Sequence, residues 1–202
     1  MSFHYAIGLE GLYHLATELL CKYEIRHMNF SLDRLCRSMG LELLPLYEYC
    51  TIDGRDLEHM LSNIIHSRYG ALVYVYQDDS YAIAYNEEVG PHGVRFTLAH
   101  ELAHFVLGHF RRFPEATMES GVFLHNYYAQ AEYEANWFAL FLLAPPILLK
   151  AYGLSDAKEI AELFGIPLHS AKEISRFMKE DFPTMERDPQ LEQTLLSLFR
   201  VD

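Results

Sequence analysis

The run Arg-Phe-Thr-Leu-Ala-His-Glu-Leu-Ala-His-Phe-Val-Leu-Gly-His, from Arg95 to His109, sets the strongest constraint on how this chain can fold. Leu98, Ala99, Leu102, Ala103, Phe105, Val106 and Leu107 make a helix here apolar around most of its circumference, so it belongs in a core. The same helix carries His100, Glu101 and His104, and an ionisable trio without partners is costly to bury. Spacing resolves the conflict. At about 3.6 residues per turn, His100 and His104 lie one turn apart on one face, where two imidazoles can reach a single metal ion. Neutral imidazole suits zinc, and a catalytic zinc site takes three protein ligands while keeping a fourth position for water. The H-E-x-x-H pattern therefore supplies two ligands and, in Glu101, a catalytic general base, with Zn2+ as the expected cofactor.

A third ligand should come from a second helix with an inward acid. Residues 128 to 143 are rich in helix formers and carry Glu132 and Glu134 ahead of a wholly apolar half. Glu132 shares a face with Asn136, Ala139 and Leu143, whereas Glu134 points about 200° of rotation away, so only one of them enters the site easily. Glu132 is the preferred ligand, because Asn136, one turn on, could hydrogen-bond a ligating histidine and orient it. Glu134 stays as the fallback ligand. Otherwise it is a solvated acid favoured by the dipole of its first turns.

These residues resemble the ImmA/IrrE family of bacterial metallopeptidases. Arg95 to His109 follows that family's R-F-T-x-A-H-E-x-x-H-x-x-x-x-H, and Glu132 to Ala139 follows its E-x-E-A-N-x-F-A, with an apolar segment ending in proline after it. The likeness is sharp over roughly residues 94 to 146. One departure is Ala144-Pro145, where the family commonly has Met-Pro, a packing position. The resemblance implies an α+β, zincin-like fold, His100, His104 and Glu132 as zinc ligands, Glu101 as general base and Asn136 as the companion of the ligands. It also implies the substrate class, a bacterial transcriptional repressor in a phage, mobile-element or stress circuit, with the partner a helix-turn-helix protein.

The remaining composition fits an intracellular enzyme. With 202 residues, half of them apolar, the chain can bury a substantial core. A formal charge of −12 repels a phosphate backbone, which disfavours direct nucleic-acid binding. Cys21, Cys36 and Cys50 are odd in number and far apart, so they read as reduced thiols in a cytoplasmic protein. The first ten residues lack a basic segment followed by an apolar one, so no secretory signal is expected. The apolar run from Trp137 to Leu149 is broken by Pro145-Pro146 and too short for a bilayer of about 30 Å, so no membrane span is expected.

Along the chain, Leu12 to Ile25 and Ser31 to Met39 read as helices, the second with Ser31 as N-cap and Gly40 as its stop. Leu41 to Tyr49, with Pro45, reads as extended, and Leu57 to Tyr69 as a helix ending at Gly70. Ala71–Tyr76 and Tyr81–Tyr85 around a polar turn make a β-hairpin, whose edge is the natural place for an extended substrate to add as a strand. Asn86 to Gly93 is the connecting loop. Phe113 to Tyr127 reads as a site-flanking loop or lid. His109, at the end of the metal helix, reads as a dipole-favoured cation rather than a ligand. His125, Tyr127 and Tyr128 are candidates to stabilise an oxyanion.

Residues 156 to 176 have a helix-turn-helix rhythm around Gly165. Lys172, Arg176 and Lys179 are matched there by Glu173, Glu180 and Asp181, so packing or partner docking is expected rather than DNA readout. Residues 183 to 202 read as a mobile link and a terminal helix. The expected organisation is a helical part over 1–70, a metallopeptidase core over 71–150 and a helical extension over 151–202, packed as one domain. The rival to a peptidase is a non-hydrolytic regulatory module that holds a repressor or DNA through its C-terminal helices. An intact Glu101 argues against that rival, since pure binding has no use for a base.

Overall fold

A computed structural model describes residues 6–124 and 129–201. In chain order they form α1 (Leu9–Lys22), α2 (Leu32–Ser38), β1 (Leu41–Pro45), α3 (Leu46–Asp53), α4 (Leu57–His59), β2 (Gly70–Val75), β3 (Ser80–Tyr85), α5 (Gly90–Val106), α6 (His109–Arg112), α7 (Ala129–Leu143), α8 (Pro146–Ala151), α9 (Ala157–Phe164), α10 (Leu168–Glu180) and α11 (Pro189–Leu198). This is the mostly helical α+β fold expected of a zincin-like chain. It divides into two compact units, Met1–Ala6 with Ser31–Ala135 and Ile7–Phe30 with Asn136–Asp202. Helix α7 changes unit between Ala135 and Asn136.

The first unit is built on a three-stranded sheet in the order β1-β3-β2, with β1 parallel and β2 antiparallel to β3. The expected hairpin is present, its register running from Gly70 opposite Tyr85 to Val75 opposite Ser80. Helix α5 packs across β2 and β3, and α2 packs on β1. Beneath the sheet Leu46, Cys50, Met60, Ile65, Ala71, Ala84 and Val122 form a continuous apolar core. Ser31 caps α2 by accepting from the Arg34 N–H.

Three segments depart from the expectations. The extended stretch stops at Pro45 and turns into α3, because the Tyr47 and Glu48 N–H groups donate to the Glu87 carboxylate at 2.7 and 3.1 Å. That cap lies some forty residues away in sequence, so no local signal announces it. The helix expected over 57–69 is one α turn followed by a π-helical Met60–Ile65, which His66 ends at φ 56°. Helix α5 starts at Gly90 with Pro91 in its first turn, a favoured place for proline, rather than after a loop reaching Gly93.

The second unit is helical. Tyr13, Trp137, Phe141, Phe177 and Phe182 pack as an aromatic cluster with ring centroids 5.0–6.2 Å apart, mostly edge-on or tilted. Asp156 caps α9 through the Lys158 and Glu159 N–H groups, and Gly165, at φ 62°, makes the turn into α10. Residues 183–188 are anchored rather than a mobile link. Phe182 and Met185 are buried, Arg187 reaches both oxygens of Glu192, and Asp188 caps α11. Among the described residues no helix is long and apolar enough to cross a membrane.

Gly70 shows how closely the first unit is packed. A Cβ there would lie 2.5 Å from the Ala84 carbonyl oxygen and 2.9 Å from Thr97 Cγ2, joining a clash on β3 to one on α5. At Gly40, φ 83°, a Cβ would meet nothing within 4 Å. Gly70→Ala should therefore cost about 2–3 kcal/mol. Gly40→Ala, which carries only left-handed backbone strain, should cost about 1 kcal/mol. Urea unfolding of both variants checks the order.

Candidate metal centre

Helix α5 presents two kinds of residue to the interior. Leu98, Ala99, Leu102 and Ala103 are buried apolar packing, and His100, Glu101 and His104 are buried with them, His104 completely. The two histidines meet Glu132, which stands in the first turn of α7. His100 Nε2 lies 3.0 Å from His104 Nε2, Glu132 Oε2 is 3.4 Å from His100 Nε2, and Glu132 Oε1 is 3.3 Å from His104 Nε2. All three donor atoms fall within 4.8 Å of one another.

This triangle suits a tetrahedral metal. Zinc bonds of about 2.0–2.1 Å set a distance between ligand atoms of about 3.3 Å, close to the three edges observed. Two imidazoles and one carboxylate are also the donor set of hydrolytic zinc sites that keep a position for water. His100, His104 and Glu132 could therefore hold zinc without rearranging. Asn136 stands one turn beyond Glu132 along α7 and is half-buried.

Glu101 is turned toward β2, where its Oε2 accepts the Leu72 N–H at 2.7 Å. The rest of that edge of β2 is paired with the chain itself. The Leu72 carbonyl accepts from the Phe123 N–H, and the Tyr74 N–H donates to the Gly121 carbonyl. The strand edge expected to receive a substrate is thus covered by residues 121–123, which fold back over Thr117 in a bridged turn. Within residues 113–124, part of the stretch read as a site-flanking loop or lid, Phe113, Ala116 and Phe123 are buried beside Ala131, while Pro114, Glu115, Glu119 and Ser120 are exposed. The Phe123 ring lies 4.9 Å from that of His104 and 6.2 Å from that of His109. His125, Tyr127 and Tyr128, the oxyanion candidates, lie outside the described residues.

Two expectations for single residues are corrected. His109 does not end the metal helix as a dipole-favoured cation. After Gly108 takes φ 66°, it begins α6 and is fully buried, and burial pushes its pKa down despite the nearby Glu134 carboxylate. Glu134 is not a solvated acid, because its side chain is fully buried. Its oxygens are held by both terminal nitrogens of Arg112, by Gln130 Nε2 at 2.9 Å and by His109 Nε2 at 3.2 Å. This carboxylate is committed away from the His100–His104–Glu132 cluster. Sequence reasoning missed Arg112 and Gln130. The four-residue step from Gln130 to Glu134 on one helix face is the signal that could have found the second.

A histidine with a depressed folded pKa takes up its proton less readily folded than unfolded, so stability rises with pH across the interval between the two values. Metal-free protein should thus lose stability as pH falls below about 6.5, the usual histidine value. His109→Gln should flatten that slope. Urea midpoints measured between neutral pH and pH 5 check it, and an unchanged slope would refute the assignment to His109.

Known proteins give the arrangement its context. No curated protein matches the chain. A peptidase family described as the IrrE N-terminal-like domain matches residues 63–173, more than half of the chain and every residue of the cluster. With the histidine pair on α5, the acid on α7 and the family's motifs all inside that match, the chain belongs to the IrrE N-terminal-like family of metallopeptidases.

Proposed function

We propose that this chain is a zinc-dependent endopeptidase that cleaves a bacterial transcriptional repressor of the helix-turn-helix type, or a similar regulatory protein, in the cytoplasm. The observation that carries the reading is the triangle of buried His100 and His104 with half-buried Glu132, and an acid, Glu101, on the same helix turn as the histidines. When bound, zinc supplies a Lewis acid for the scissile carbonyl and lowers the pKa of water. His100 and His104 would hold it through Nε2 and Glu132 through its carboxylate, with Asn136 as their hydrogen-bonding companion. The Glu101 carboxylate takes the proton of the attacking water and later passes it to the leaving amine nitrogen. The Leu72 N–H, bonded to Glu101 Oε2, fixes that carboxylate as an acceptor before substrate arrives. Phe123, against His104, keeps bulk water from that side of the imidazole.

A protein substrate is favoured over nucleic acid by charge. The chain carries −12, and on α10 the exposed Arg176 faces Glu180 at 3.9 Å. The repressor class rests on the family resemblance, and the hairpin edge remains the place where an extended segment could add once residues 121–123 give way. Glu101→Gln should abolish cleavage of a repressor encoded beside this chain, by ~10²–10⁴-fold, while zinc content and thermal unfolding stay at wild-type values. Cleavage at the wild-type rate would refute the mechanism. Derepression without any cutting would show that the chain acts by binding.

A further inference from the structure

Resting on the zinc reading above, we propose that His109 and Glu134 form an outward relay that fixes the tautomer and ring plane of His104, making them positioning residues for the metal rather than ligands of it. The geometry leaves one arrangement of protons. His104 turns Nε2 toward His100 and Glu132, and a nitrogen that binds metal must present its lone pair. Its single proton then sits on Nδ1, which is 2.7 Å from His109 Nδ1. His104 Nδ1–H donates, so His109 Nδ1 accepts. The one proton of His109 is thereby placed on Nε2, which donates to Glu134 Oε2 at 3.2 Å. The relay ends on a carboxylate, an acceptor only, which Arg112 and Gln130 hold in place.

Every donor in this line points away from the metal pole and every acceptor toward it. An imidazole that donates its second N–H to an anchored acceptor is a better and more rigid ligand, and loss of such a partner typically weakens metal binding about 10–100-fold. Here the partner is a second imidazole, carrying the influence of Glu134 one ring further than a direct carboxylate contact. The same burial that excludes water from His104 and His109 prevents water from replacing a lost partner.

The test uses the full chain, loaded with zinc by titration against a chromophoric chelator and, separately, with cobalt(II) for its visible spectrum. His109→Phe should bind zinc about 10–100-fold more weakly and change the cobalt bands. His109→Gln, whose amide can accept from His104 and donate to Glu134, should recover affinity to within about threefold of wild type. Leu46→Ala, in the apolar core of the same unit, should lower thermal stability and leave zinc affinity and cobalt spectrum unmoved. If His109→Phe fails to fold, Glu134→Gln carries the test, with about tenfold weaker binding expected. Wild-type affinity and spectrum in whichever of these two variants folds would overturn the relay while leaving the zinc reading intact, provided that His104→Ala loses the metal. A wild-type chain that takes up no zinc overturns both.

Discussion

Ionisable side chains cannot be buried in an apolar helix unless each finds a partner, and the first unit is organised around that requirement. His100, Glu101 and His104 enter the core on α5 among leucines and alanines. Glu132 answers the two histidines, the Leu72 N–H answers Glu101, and His109 answers the far side of His104. Each answer comes from a different element, so α5, α6, α7 and β2 are tied together at one point. The cost of leaving any of these groups unmatched, about 1–3 kcal/mol for a neutral one and more for a charge, is what holds their geometry.

The same requirement explains why two acids two residues apart on α7 lead different lives. Glu132 keeps a partly exposed side chain against the histidine pair, and Glu134, rotated to the opposite side, is fully buried with Arg112 and Gln130. A buried carboxylate beside a guanidinium is expensive to separate and weak as a net source of stability, so its conformational role outweighs its energetic one. Glu134 thus links α7 to α6 through Arg112 and His109. Glu101 shows the related economy of a β-strand edge. A main-chain donor that would otherwise seek a neighbouring strand is satisfied by a side chain, and the segment at 121–123 takes the adjoining positions.

Much of this was legible in the sequence because it is local or periodic. Helical spacing identified His100 and His104, and the 3.6-residue repeat separated Glu132 from Glu134. The hairpin, the Ser31 cap and the Gly165 turn all rest on neighbours within a few residues. What escaped depends on distant groups. Glu87 capping α3 changes an extended stretch into a helix, Phe123 covers the edge of β2, and His109, expected as a cation at the helix end, is buried, which pushes its pKa down. The π-helical stretch at Met60–Ile65 has no sequence signature of its own, since its apolar residues satisfy an α-helical pattern equally well.

Elemental analysis of the purified chain beside its His104→Ala, Glu132→Ala double variant tests the central claim most directly. If these side chains and His100 form one metal site, the wild type carries about one zinc per chain and the double variant, still folded by circular dichroism, carries almost none, since a catalytic site rests on three protein ligands. Stoichiometric zinc in the folded double variant would contradict the account.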